Sequence, residues 1–152
     1  FPGRSVVPYV ASQCLGAVLA SVCLRLIFPE SRTLGETLPH GSAIQAFVLE
    51  VFLAAFLMFV ILSVSEGPKE KGGLAGIAVG SVIVFEAMFA GPITGASMNP
   101  ARSLAPALVS LNINSLWVYL IAPTVGTLAA VLACRCVHEK PCCCAAQDRG
   151  CS

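Results

Sequence analysis

Charge is scarce in this sequence. Asp, Glu, Lys and Arg make up 11% of its 152 residues, against about a quarter in a typical soluble domain. The nine basic and eight acidic side chains nearly cancel, leaving a formal net charge of +1. A nucleic-acid surface needs a concentrated basic patch. Neither that nor a basic–aromatic pattern is present, so no nucleic-acid partner is expected. Histidine occurs only as His40 and His138, and no Ser-His-Asp array, HExxH, P-loop or dinucleotide fingerprint is found. No enzyme and no cofactor are expected. The first apolar run also lacks the basic start and small-residue cleavage site of a signal peptide. The sequence opens with Phe1 rather than Met, and the expectation is a piece of a longer gene product.

What the sequence has in excess is apolar surface. Hydrophobic residues make up 57% of it and the mean hydropathy is +0.85. Four stretches carry the excess: Pro8 to Phe28, Ala43 to Ser65, Gly73 to Ala90 and Ser115 to Val137. A helix of about 20 residues, at 1.5 Å per residue, covers a hydrocarbon core of roughly 30 Å. The runs are too long and too numerous for the core of a soluble domain of this size, so an all-α integral membrane protein is expected.

Antiparallel spans put the N-terminus, the 66–72 connection and the C-terminal tail on one side, with Arg4, Lys69, Lys71, Arg135, Lys140 and Arg149. The other side has Arg25 and Arg32. The basic excess marks the first side, and with it the tail, as cytoplasmic. Small residues recur every fourth position at Ser12, Gly16 and Ala20, at Gly72, Gly76 and Gly80, and at Ala122, Gly126 and Ala130. Such stripes let helix backbones pack closely in lipid, and all three are expected to do so.

One stretch breaks the pattern: FAGPITGASMNPARSLAPALVS, residues 89–110. The third span must leave on the outer side and the fourth must start there, so the segment between them begins and ends on one face. Within it Asn99-Pro100 reads as a helix start, since Asn is a favoured N-cap and Pro is preorganised at the first helical position. The helix then runs to about Val109, strained by Pro106. That length is about 15 Å, half a bilayer, and describes a re-entrant half-helix. Non-helical backbone at membrane depth survives only against protein or a wet cavity. The carbonyls of 91–98 are therefore expected to be free for a passing solute. The half-helix N-terminus and the Asn99 amide would meet that solute, with the helix dipole opposing cations. Arg102, costly in lipid, must face water or a partner; tying two loops together is the alternative.

The SMNPARS run (97–103) resembles the second Asn-Pro-Ala signature of the aquaporin, or major intrinsic protein, family, followed by its selectivity arginine. GLAGIAVGS before it, SLWVYLIAPTVGT after it and a Glu in the middle of the second span agree. The resemblance covers about residues 1–138. It implies the aquaporin-like right-handed helical bundle, here four of six transmembrane helices plus one re-entrant half-helix, without the first two helices and the first signature. A pore needs both halves, so the chain alone is expected not to conduct. The family also implies a homotetramer, a multi-pass place in the cell membrane and passive transport of water and small neutral solutes, with lipid as the other partner.

The resemblance carries specific residues. Asn99, Pro100 and Ala101 form the signature. Three of the four filter positions map to Ala87, Ala96 and Arg102. Strict water channels of the family usually carry His at the Ala87 position, so two alanines imply a wider, less polar ring. The pattern is closest to the nodulin-like branch and its bacterial relatives, which pass glycerol, urea or neutral metalloid acids. Glu50 matches the buried Glu that holds the re-entrant loop in shape. Glu86 neighbours Ala87, but a helical step of about 100° turns it off the pore face.

The remaining feature is a tail, residues 139–152, expected to be disordered. Six of the eight cysteines lie in or just before it: Cys134, Cys136, Cys142, Cys143, Cys144 and Cys151, beside His138. Cys14 and Cys23 read as small packing residues of the first span. Cytoplasmic thiols stay reduced, so disulfides are not expected. The spacing fits no standard zinc module, and no metal site is assigned. Capture of soft metals or trivalent arsenic by Cys134, Cys136 and Cys142 to Cys144 stays open, as does acylation. Two rival readings follow: a thiol-based metal-binding membrane protein, and a truncated non-conducting subunit that modulates full-length channels.

Overall fold

The computed structural model describes residues 2–31, 33–65 and 69–137. A 3-10 turn, Gly3–Ser5, leads into helix α1, Val6–Ile27; α2 is Ala43–Ser65, α3 Lys69–Thr94, α4 Pro100–Ser110 and α5 Leu116–Val137. Four helices are long and apolar enough to cross a membrane. The fifth, α4, has 11 residues, which is about 16 Å.

The ends of these helices follow local chemistry. At the start of α2 the Ser42 hydroxyl accepts from the Gln45 N–H at 3.2 Å, and the Gln45 side chain accepts from the Ser42 N–H at 3.1 Å. That reciprocal pair satisfies two backbone donors and stops the helix from extending backwards. At α4 the Asn99 Oδ1 accepts from the Ala101 N–H at 2.9 Å, with Pro100 at the first helical position. Its far end closes on Leu111 in the left-handed conformation, φ 61°. Pro92, Pro106 and Pro123 all lie inside helices. As expected, α4 continues past Pro106, which is buried among its neighbours, where surrounding helices compensate for the lost bond.

The third span is longer than hydropathy indicates, ending at Thr94 rather than Ala90. The Gly91-Pro92 pair reads as a breaker, yet the helix absorbs it, and the Gly95 N–H still bonds the Gly91 carbonyl at 2.9 Å.

Helix α2 is central, packing against α3 and α5, while α4 bridges α1 and α5. Among the described residues α1 meets no full-length helix. The α2–α5 seam is the tightest: a Cβ on Gly126 would stand 2.3 Å from the Val51 carbonyl oxygen. Ala122 and Ala130, one turn either side of it, are buried. The other two stripes do not behave as expected. A Cβ on Gly16, Gly76 or Gly80 would meet nothing within 4 Å. Four-residue spacing reports how closely a backbone can be approached, not whether a partner is there.

Candidate functional site

Beyond Thr94 the chain leaves its helix through three left-handed residues: Gly95 at φ 83°, Ala96 at 44° and Met98 at 54°. Gly95 is required there twice over, since a Cβ would also lie 3.0 Å from Thr37 Cα. For Ala96 and Met98 that conformation costs roughly 1–3 kcal/mol each and persists only where the surroundings impose it.

Glu50 imposes it. This residue of α2 is fully buried. Its Oε1 accepts from the Thr94 hydroxyl at 2.8 Å and the Ser97 N–H at 2.9 Å, and its Oε2 accepts from the Met98 N–H at 2.9 Å. The Thr94 hydroxyl in turn accepts from the Ala96 N–H at 3.2 Å. From α5 the buried Tyr119 hydroxyl donates to the Thr94 carbonyl at 2.8 Å. Three helices thus converge on one five-residue turn.

A second chain of bonds ties the half-helix to the loop between α1 and α2. Thr37 Oγ1 donates to Ser103 Oγ at 2.6 Å, and Ser103 Oγ lies 2.5 Å from Ser97 Oγ. Ser97 Oγ reaches the Asn99 carbonyl at 3.0 Å. Farther out, Asn112 donates to Glu36 at 2.8 Å. Burial raises the Glu36 carboxyl above its ordinary pKa, opposed by the Asn112 hydrogen bond and by the charge of Arg25.

These restraints shape a cavity of ≈ 370 Å³, lined by Leu57 of α2, Ile83 and Ala87 of α3, the 95–99 turn, and Arg102. It therefore brings together Ala87 of α3, Ala96 and Asn99 of the turn, and Arg102 of α4. Pro100 and Ala101 lie behind them in the first turn of α4. Arg102 lines the cavity, and its Nη1 donates to the Gly35 carbonyl at 3.2 Å.

The carbonyl surface is shorter than expected. The Gly91 oxygen accepts from Gly95, that of Ile93 from His40 at 3.0 Å, and that of Thr94 from Tyr119. The stretch outside the helix begins at Gly95, so the free-carbonyl expectation is corrected for Gly91, Ile93 and Thr94.

Glu86 points elsewhere. It is 1% exposed and lines a separate groove between α2 and α3. Thr37, Ser103, Thr94, Tyr119 and Gly35 support the site without any sequence signal that marks them. Their partners lie 25 to 67 positions away.

The thiol expectation changes. Cys134 is buried and disulfide-bonded, so it is not a reduced ligand. Cys136 is a free, exposed thiol, and Cys142, Cys143, Cys144 and Cys151 lie outside the described residues. Cys23 is exposed rather than packed. Among the described residues no cluster of three metal-ligating side chains exists.

A family model described as Major intrinsic protein matches residues 1–134. The chain belongs to the major intrinsic protein family. It is 48% identical to aquaporin NIP1-1 of Zea mays over 88% of this chain and 48% of that protein. Identity to nodulin-26 of Glycine max is 47%, over 85% and 48% respectively. A probable aquaporin NIP-type of Nicotiana alata is 41% identical over 93% of the chain and 53% of its own length. The likeness supports both the aquaporin-like all-α fold and the nodulin-like branch. The chain spans about half the length of these relatives.

Proposed function

We propose that this chain supplies one half of a passive transmembrane channel for water and small uncharged solutes. Glycerol, urea and neutral metalloid acids are the solute class. One observation carries the reading: Ala87, Ala96, Asn99 and Arg102 share one cavity at the N-terminus of a half-length helix. The alanines give that cavity width and an apolar wall. Arg102 opposes them as a hydrogen-bonding, cationic wall that favours hydroxyl groups and repels cations. The Asn99 Oδ1 is occupied by its own helix, which leaves its amide hydrogens for the solute. Conduction is downhill and uncoupled. A complete channel requires a second half that presents its own signature, and it assembles as a homotetramer in the cell membrane with the C-terminal tail in the cytoplasm. The relatives' names, aquaporin and nodulin, support a channel role.

The test is Arg102→Ala in the complete channel, reconstituted in vesicles. Conductance to small cations and swelling in larger neutral solutes both rise severalfold if Arg102 walls the filter. Unchanged selectivity would leave Arg102 with only its bond to the Gly35 carbonyl, as a tie between two loops.

A further inference from the structure

Three consecutive residues of the loop between α1 and α2 hold the half-helix. The Gly35 carbonyl accepts from Arg102 Nη1 at 3.2 Å, Glu36 Oε2 accepts from Asn112 Nδ2 at 2.8 Å, and Thr37 Oγ1 donates to Ser103 Oγ at 2.6 Å. Arg102 and Ser103 lie in the first turn of α4, whereas Asn112 lies beyond its last residue, Ser110. The loop therefore grips the half-helix at both ends. Of the three bonds, the one from Gly35 reaches a side chain of the filter, and it is the longest. Where the Arg102 guanidinium is held thus depends on what fixes the loop.

Both partners of the Glu36–Asn112 bond are braced. The Asn112 N–H bonds the Ala107 carbonyl at 3.0 Å, and its Oδ1 accepts from the Asn114 N–H at 3.3 Å. The second bond fixes which way the amide points, and directs Nδ2 at the carboxyl. On the loop side the Glu36 N–H bonds the Thr33 carbonyl at 2.7 Å. The Ser31 hydroxyl accepts from the Leu34 N–H at 3.3 Å, and Arg25 of α1 donates to the Ser31 carbonyl at 2.8 Å. Leu34 and Gly35 are both left-handed, at φ 47° and 74°, and a leucine keeps that conformation only where its surroundings impose it. An amide bonded to a carboxylate makes one of the stronger kinds of hydrogen bond. Each of these bonds lies within this chain, so none depends on what the other half of the channel contributes.

Resting on the channel reading, we propose that Glu36 and Asn112 are positioning residues for the filter. Their bond latches the loop to the far end of the half-helix, holds the Gly35 carbonyl against Arg102, and so sets the largest neutral solute that passes. Ala87 and Ala96 offer the solute no side-chain hydrogen bond, which leaves the guanidinium as the wall whose position matters. With the latch closed, that wall stays in the cavity. With it open, the Gly35 carbonyl recedes, the guanidinium swings out of the solute path, and bulkier polyols enter.

The experiment is stopped-flow swelling of vesicles holding the complete channel, with protein-free vesicles subtracted. It reads the ratio of erythritol to water permeability, which does not depend on how much channel each vesicle carries. Asn112→Asp sets two carboxylates against each other and raises the ratio about threefold or more. Adding Glu36→Gln restores the pair with donor and acceptor exchanged, and the ratio returns to the wild-type value. In an Arg102→Ala background neither the break nor the repair moves the ratio, because the latch acts through the arginine; a general loss of stability would act in both backgrounds. Asn112→Ala removes the donor without adding charge and shifts the ratio the same way, which keeps the test open if Asn112→Asp does not fold. An unchanged ratio in these variants, no return on adding Glu36→Gln, or an equal rise in the Arg102→Ala background would each overturn the latch and leave the channel reading standing. If Arg102→Ala alone left the ratio unmoved, the filter reading would fall and the latch with it.

Discussion

Two carboxylates lie buried on neighbouring helices, and their surroundings are opposites. Around Glu50 every bond is local to the turn it supports: two backbone N–H groups and one hydroxyl converge on it, and Tyr119 secures the same turn from α5. Around Glu86 there are phenylalanines and leucines and no hydrogen bond among the described residues. The same contrast holds for the faces of the bundle. The α2–α5 seam is closed down to a glycine, whereas the small-residue faces of α1 and α3 are open. Burial alone therefore says little about role. A filled set of hydrogen bonds identifies Glu50 as a group that shapes the backbone, a role that Glu86, with no such set among the described residues, does not share.

The largest effect is expected where the bonds are full. Glu50→Ala strands the Ser97 and Met98 N–H groups, at about 1–3 kcal/mol each, while Ala96 and Met98 lose the restraint on their left-handed backbone. Thermal unfolding in detergent should show a drop large enough to prevent recovery of folded protein. Glu86→Leu is the counterpart, and replacing an unpaired buried acid by an apolar residue is expected to be neutral or stabilising. An equal loss in both variants would erase the contrast.

The next pair compares the two kinds of small-residue face. Gly126→Ala drives a methyl group into the Val51 carbonyl and should cost about 1–3 kcal/mol through overpacking. Gly76→Ala meets open space in this chain and should gain roughly 0.5–1 kcal/mol from better helix propensity. Chemical denaturation of this chain measures both. A loss for Gly76→Ala that appears only in the complete channel would identify the α3 stripe as a contact with the other half.

The smallest effect belongs to the loop. The Glu36 carboxyl titrates above its ordinary value in the folded protein, chiefly through burial. The folded state then binds more protons than the unfolded state between the two values. Stability should fall slightly as pH rises from about 4.5 through the raised pKa. Melting temperature against pH should lose that slope in Glu36→Gln, and an unchanged slope would assign it to another group.

Much of this was legible in the sequence where one segment carries its own signals. The extent of α2 follows from hydropathy, and the half-helix from Asn99-Pro100. The third span ends four residues later than expected, because a proline breaks a helix only when the lost bond has no compensation, and neighbouring helices are not visible in sequence. The fate of Cys134, the loop partners Gly35 and Thr37, and the direction of each small-residue stripe depend on what stands opposite in space. Local pattern carries no information about that.

The central claim is that two alanines leave the filter wide. Stopped-flow swelling of vesicles holding the complete channel, driven by glycerol and water gradients, measures it directly in the wild type and in Ala87→His. The account predicts that the wild type passes both, and that the histidine reduces glycerol permeation at least tenfold while water still passes. A wild type that passes water alone, or a histidine variant with undiminished glycerol flux, would contradict it.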